Sequence, residues 1–190
     1  YGNNRNLDIG KKCLTEVIGR VEEQANLISR LLIINNSNKI LNIKASGGLG
    51  KTTLAKKIAY ELYNRGYYIY GVNFKSCENV KCYDDFEDLV IEGFNFKDIL
   101  NFKEHLIENY SSEKIDLLLI LDNFETVNNN LNEEDYLKVI TLLEFVSDYT
   151  NIIITSREVI SNKEFEDVFT LTPMTTDDAL ELFKDNYKGK

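Results

Sequence analysis

The sequence has a single proline, Pro173, and no run of glycine and serine, so nothing along its 190 residues marks a linker between two domains. Cysteine is nearly as scarce. Cys13, Cys77 and Cys82 are odd in number and match no zinc or redox spacing, so each is expected to be structural or superficial, in a reducing compartment such as the cytoplasm. Long apolar runs are missing too. The longest, Leu31 to Ile34 and Leu117 to Leu121, fall far short of the roughly 20 residues that cross a bilayer. The Asn-rich start, Tyr1 to Lys12, lacks the apolar core of a signal peptide, so no membrane partner is expected. Basic residues are outnumbered, 22 against 31 acidic, giving a net charge of −9. With acidic clusters at Asp84 to Asp88 and Asn132 to Asp135, such a surface repels a phosphate backbone, and direct binding of nucleic acid is not expected. The one histidine, His105, lies among Lys and Glu neighbours of an expected helix and reads as part of a solvated face.

What is present suits one compact domain. At 43% hydrophobic content a chain of this length supports a core without a disulfide or metal staple. Val21, Leu27, Ile28, Leu31 and Leu32 recur at helical spacing over Arg20 to Ile34, and Lys39 to Lys44 follows as a strand. That strand runs into the glycine cluster Ala45 to Gly50, after which Lys51 to Arg65 is expected to be a helix, with Gly66 at its C-terminal cap. Tyr67 to Phe74 and Lys114 to Asp122 read as further strands, the second apolar through its centre like a strand covered on both faces. One or two helices are expected between them, from Asp84 to Tyr110. A helix over Glu133 to Tyr149 follows, with Asn132 as its N-cap. Short strands are expected at Asn151 to Thr155 and Asp167 to Leu171, then a capping box, Thr175 to Asp178, ahead of a last helix through Phe183. Strands alternating with helices imply right-handed crossovers and an α/β fold, a parallel sheet with helices on both faces.

Three segments carry chemistry. Ala45-Ser46-Gly47-Gly48-Leu49-Gly50-Lys51-Thr52 is a P-loop pattern with Ala in place of the usual first Gly. Glycines let successive backbone N–H groups turn inward on phosphates, and the following helix adds the positive end of its dipole. Lys51 is placed to reach the β- and γ-phosphates, and the Thr52 hydroxyl to ligate magnesium. Leu117 to Asp122 is an apolar strand ending in an acid, the form of a Walker B segment, which makes Asp122 a second magnesium ligand through water. Ile152-Ile153-Ile154-Thr155-Ser156-Arg157 delivers an arginine to the same sheet edge, where a guanidinium can fork onto a γ-phosphate.

Taken in order, four segments resemble the STAND class of P-loop ATPases, the NB-ARC and NACHT relatives within the wider AAA group. They are Val17-Ile18-Gly19-Arg20 with Glu22 and Glu23, then Gly47 to Leu54, then Leu118 to Glu125, and last Ile153 to Glu158. The resemblance implies a three-layer P-loop NTPase fold with a five-stranded parallel sheet in the order 2-3-4-1-5, counting the strand before the glycine loop as the first. It implies ATP or ADP with magnesium as cofactor. Residues 13–20 would be the adenine-binding segment, with Val17, Ile18, Gly19 and Arg20 lining the base. Ser46, Gly47, Gly48, Leu49, Gly50, Lys51, Thr52 and Thr53 would hold the phosphates. It further implies a nucleotide-binding domain over residues 1–175 and the start of a helical subdomain over 176–190.

One position departs from many relatives, which carry a second acid directly after the magnesium Asp. Here that place is Asn123, which cannot serve as a base, so slow or no hydrolysis is expected, with Glu125 as the candidate base alongside Lys51, Asp122 and Arg157. The leading expectation is a signalling switch that self-associates on exchange of ADP for ATP, working with flanking sensor and effector domains. The alternative is an AAA-like motor acting on a macromolecule. A nucleotide kinase is disfavoured, because Asp84 to Tyr110, where a lid would sit, contains no arginine.

Overall fold

A computed structural model describes residues 7–8, 19–34, 40–110, 114–160, 164–176, 179–180 and 184. Among the described residues, six parallel strands form one sheet: β1 (Leu7–Asp8), β2 (Ile40–Lys44), β3 (Gly71–Ser76), β4 (Leu117–Asp122), β5 (Asn151–Ser156) and β6 (Glu166–Thr170), in the spatial order β1-β3-β4-β5-β2-β6. Without the two-residue edge strand β1, this is the expected order 2-3-4-1-5. Among the described residues the strands are connected by the helices α1 (Val21–Ile34), α2 (Lys51–Asn64), α3 (Tyr83–Gly93), α4 (Ile99–Asn109), α5 (Glu125–Asn130) and α6 (Glu133–Tyr149).

The strand pleat divides the core into two layers. In β4, Leu117, Leu119 and Leu121 face a cluster with Phe86 and Val90 of α3, Phe102 and Leu106 of α4, and Val139, Leu143 and Val146 of α6. Leu118 and Ile120 face the opposite cluster, with Leu27 and Leu31 of α1 and Leu54, Ile58 and Leu62 of α2. This alternation is why the strand reads as one apolar run: both faces are covered, and every residue from Leu117 to Asp122 is buried. The layers therefore number three.

Helix ends follow local chemistry. At the end of α2 the Tyr67 N–H donates to Leu62 O at 3.0 Å and the Gly66 N–H to Tyr63 O at 3.1 Å, a Schellman closure that needs the left-handed Gly66 at φ 94°. The side chains of Asp98 and Asn132 accept from Asn101 N and Asp135 N, capping α4 and α6.

One strand starts later than its composition suggests. Tyr67 to Tyr70 is a turn, and Tyr68, at φ 54°, is buried with its N–H donating to Asp116 Oδ1 at 2.7 Å. The ring supplies core volume while the backbone turns, so strand propensity is overridden there. The capping box through Asp178 and the helix through Phe183 reach outside the described residues; within them, Ala179 N–H donates to Thr175 O at 3.0 Å.

Candidate functional site

β2, β4 and β5 lie side by side and end together, which brings their last residues to one edge of the sheet. Lys44 pairs with Ser156 in register, and Leu121 with Ile154. The glycine loop leaves β2 with the Ala45 N–H bonded to Ser156 O at 3.1 Å, and enters α2 through Gly50. Gly48 and Gly50 have φ of 79° and 85°, conformations a β-carbon disfavours, and this lets the loop curl ahead of the helix N-terminus. Lys51 is buried at 7% exposure, with its ammonium donating to Ala45 O at 3.0 Å and Ser46 O at 3.3 Å. Its charge is thereby held over the loop's backbone.

The next strand supplies an oxygen cluster. Asp122 is 5% exposed, and its Oδ1 accepts from Thr52 Oγ1 at 2.6 Å and from Thr155 Oγ1 at 2.5 Å. Thr155 is fully buried, and its hydroxyl also accepts from the Asn123 N–H at 3.2 Å. β4, β5 and α2 are thus joined through one carboxylate. Thr52 and Asp122 present hard oxygen donors side by side at the mouth of the glycine loop, the type of donor that magnesium takes alongside phosphate and water. The residues fit that ion. Asn123 stands at φ 59° and donates its amide to Glu78 Oε1 at 2.9 Å, so it turns away along the β3 side.

Arg157 follows β5 and lies over the loop: a β-carbon placed on Gly47 would stand 3.4 Å from its Nη2 and 3.6 Å from its Cζ. Its Nε is ion-paired with Glu125 Oε1 at 3.0 Å. The sheet therefore brings Lys51, Thr52, Asp122, Glu125 and Arg157 to one place, while Ser46, Gly47, Gly48 and Gly50 line its exposed rim.

Of the expected adenine-binding segment, Val17 and Ile18 lie outside the described residues. Gly19 and Arg20, at φ 76° and 57°, turn the chain into α1. Arg20 is 3% exposed, paired with Glu23 at 3.1 Å and donating to Leu49 O at 3.3 Å. In the sequence it belongs only to a glycine-containing turn; its link to the glycine loop appears only in three dimensions. Cys77 is a neighbour of the site that the sequence did not announce. Its N–H donates to Asp122 O at 2.8 Å, and burial, reinforced by the Asp122 and Glu125 carboxylates, pushes its thiol far up, so it stays protonated and inert.

A strand that runs through a glycine loop into a helix at the centre of a parallel sheet, beside a strand that ends in an acid, is the architecture of the P-loop NTPases, and the chain is a nucleotide-binding module of that class. Its sequence narrows the class: the chain belongs to the NB-ARC domain family, whose model matches residues 21–188. Solved structures with the same fold include AMPPCP-bound DnaA from Aquifex aeolicus, at 18% identity and a TM-score of 0.59, covering 96% of this chain and 57% of that one. They include Cdc6p from Pyrobaculum aerophilum, at 16% and 0.62, covering 95% and 52%. The Aeropyrum pernix ORC1 protein in complex with DNA matches at 11% and 0.63, covering 95% and 52%. The chain spans about half the length of these structures. No curated protein matches it.

Proposed function

We propose that the chain is the ATP/ADP-binding module of a STAND-type signalling switch, with magnesium at Thr52 and Asp122. The observation that carries the reading is the convergence of Lys51, Thr52, Asp122 and Arg157 around one glycine loop, next to an Asn123 that faces Glu78. In this reading the loop N–H groups from Gly47 to Thr53 hold the phosphates with Lys51, and Ser46 and Leu49 shape the loop's rim. Magnesium, when bound, would offset charge on the β- and γ-phosphates. Arg157 reads the third phosphate. The segment ending at Gly19 and Arg20 is assigned to the adenine side, its buried arginine linked to Leu49 of the loop.

Hydrolysis is slow in this reading because, among the described residues, no free carboxylate stands beside Asp122: the neighbouring side chain is an amide, and the Glu125 carboxylate is turned to Arg157. A motor acting on a macromolecule is the second reading, supported by the likeness to replication initiators and to ORC1 in complex with DNA. The net charge of −9 favours the switch over a nucleic-acid partner for this surface. Self-association and flanking sensor or effector domains belong to the switch reading.

Steady-state phosphate release separates the two. The switch turns over far below the roughly 1–10³ s⁻¹ typical of enzymes. Release of several phosphates per second that disappears in Lys51→Ala would favour the motor.

A further inference from the structure

Glu125 takes no part in holding the nucleotide in the reading above, yet it is the only carboxylate that touches Arg157 among the described residues. It stands three residues after Asp122, at the start of α5. The two partners differ sharply in exposure, 12% for the Glu125 side chain and 64% for that of Arg157. The acid is fixed by the fold, and the arginine is fixed by the acid. Glu125 Oε2 is buried without a hydrogen-bond partner, so among the described residues the carboxylate's charge is compensated through Oε1 and Arg157.

The atoms used matter. A guanidinium offers five N–H donors in a planar fork, and Glu125 pairs with it on the Nε side. The Nη donors remain, and Nη2 lies over Gly47. A long, solvent-exposed arginine without that hold would spread over many rotamers, most of them away from the loop. Opposite charge at its root also shields any triphosphate from the Glu125 carboxylate, because the guanidinium stands between Glu125 and the loop.

From these contacts we infer that Glu125 is a positioning residue that holds the Arg157 guanidinium over Gly47, so that its Nη donors meet a third phosphate, and that Glu125 thereby sets the preference for a nucleoside triphosphate over a diphosphate. The inference rests on the role proposed for Arg157. It assigns Glu125 to nucleotide discrimination, in place of the general-base role that its sequence position suggested.

The test is calorimetric titration of ATP and ADP, each with magnesium, into the chain and its variants. Glu125→Ala should lower the ATP-to-ADP affinity ratio roughly 2- to 12-fold, the scale of losing the pre-ordering of one rotamer-rich side chain. Glu125→Gln should lower the ratio less than Glu125→Ala, because it keeps a polar side chain of the same length beside Nε while losing the charge of the pair. The double variant with Arg157→Ala should be no worse than Arg157→Ala alone, since a positioning residue has nothing to act on once its arginine is gone. If Arg157→Ala collapses the ratio while Glu125→Ala keeps it, or if the two losses multiply in the double variant, the inference is overturned and the Arg157 reading survives. If Arg157→Ala leaves the ratio unchanged, both fall. Arg157→Lys covers the case in which Glu125→Ala fails to fold. One ammonium lacks the fork that joins Glu125 to a phosphate, so the ratio should drop as in Arg157→Ala, and a retained ratio overturns the inference.

Discussion

Replacing Asp122 separates two jobs that one carboxylate performs. Its Oδ1 accepts both the Thr52 and the Thr155 hydroxyls, at 2.6 and 2.5 Å, and this ties α2 and β5 to the end of β4. Asp122→Ala leaves the fully buried Thr155 hydroxyl without its acceptor, a loss of about 1–3 kcal/mol. In a domain of this size that lowers Tm by roughly 2–12 °C. Asp122→Asn is different. Because Oδ1 alone takes both bonds, an amide oxygen can replace it, and the stability loss should stay below about 1 kcal/mol. What Asn cannot supply is the negative charge that a hard cation requires. Both variants should therefore lose magnesium-dependent ATP affinity by roughly 10- to 150-fold, the scale of one charge-assisted contact. Affinity in EDTA should hardly change. The assay pairs thermal melts with calorimetry in magnesium and in EDTA. Refutation would be an Asp122→Asn variant that melts as low as Asp122→Ala, or one whose ATP affinity falls equally in both buffers.

Two further outcomes concern stability. A β-carbon on Gly93 would stand 2.9 Å from Leu119 Cδ1 in the packed layer between α3 and β4, so Gly93→Ala should destabilise by about 1 kcal/mol, overpacking outweighing the gain in helix propensity; an unchanged denaturant midpoint would show that Leu119 has room to move. Desolvation, only partly opposed by Asp148, pushes the half-buried Lys114 ammonium down to about 8 from the ordinary 10.5. Between those values the unfolded chain binds more protons, so stability rises with pH across that window, and Lys114→Met should remove that part of the rise and be the more stable protein at neutral pH. Parallel pH profiles for the two proteins would refute this.

Much of the site was legible because its parts are continuous in the chain. The glycine loop between a strand and a helix is one stretch, Ile40 to Asn64, and the Asp122 strand betrays its two-sided burial in five apolar residues. The sheet order was not readable from periodicity; it came with the family resemblance. The pair of Glu125 and Arg157 joins residues on two strands' exits, and no spacing along the chain announces it. The helix α5, six residues of Glu, Thr, Val and Asn, carries too little apolar period to stand out. β1 escaped for a related reason: two residues on a sheet edge are held by pairing with β3, not by a pattern of their own. The turn at Tyr68 hid behind its aromatic composition. Its buried ring and its bond to Asp116 are long-range facts.

The central claim is that the loop before α2 holds a nucleotide's phosphates, and Lys51 is where it is most exposed to test. Among the described residues the Lys51 ammonium is bonded to the Ala45 and Ser46 carbonyls of its own loop, so its removal should leave the fold standing. Titration of ATP with magnesium into the chain and into Lys51→Ala, with circular dichroism to confirm that the variant is folded, should show one nucleotide per chain and at least a roughly 10-fold loss in the variant, as for one charged contact. Equal ATP affinity in the two folded proteins would contradict the assignment.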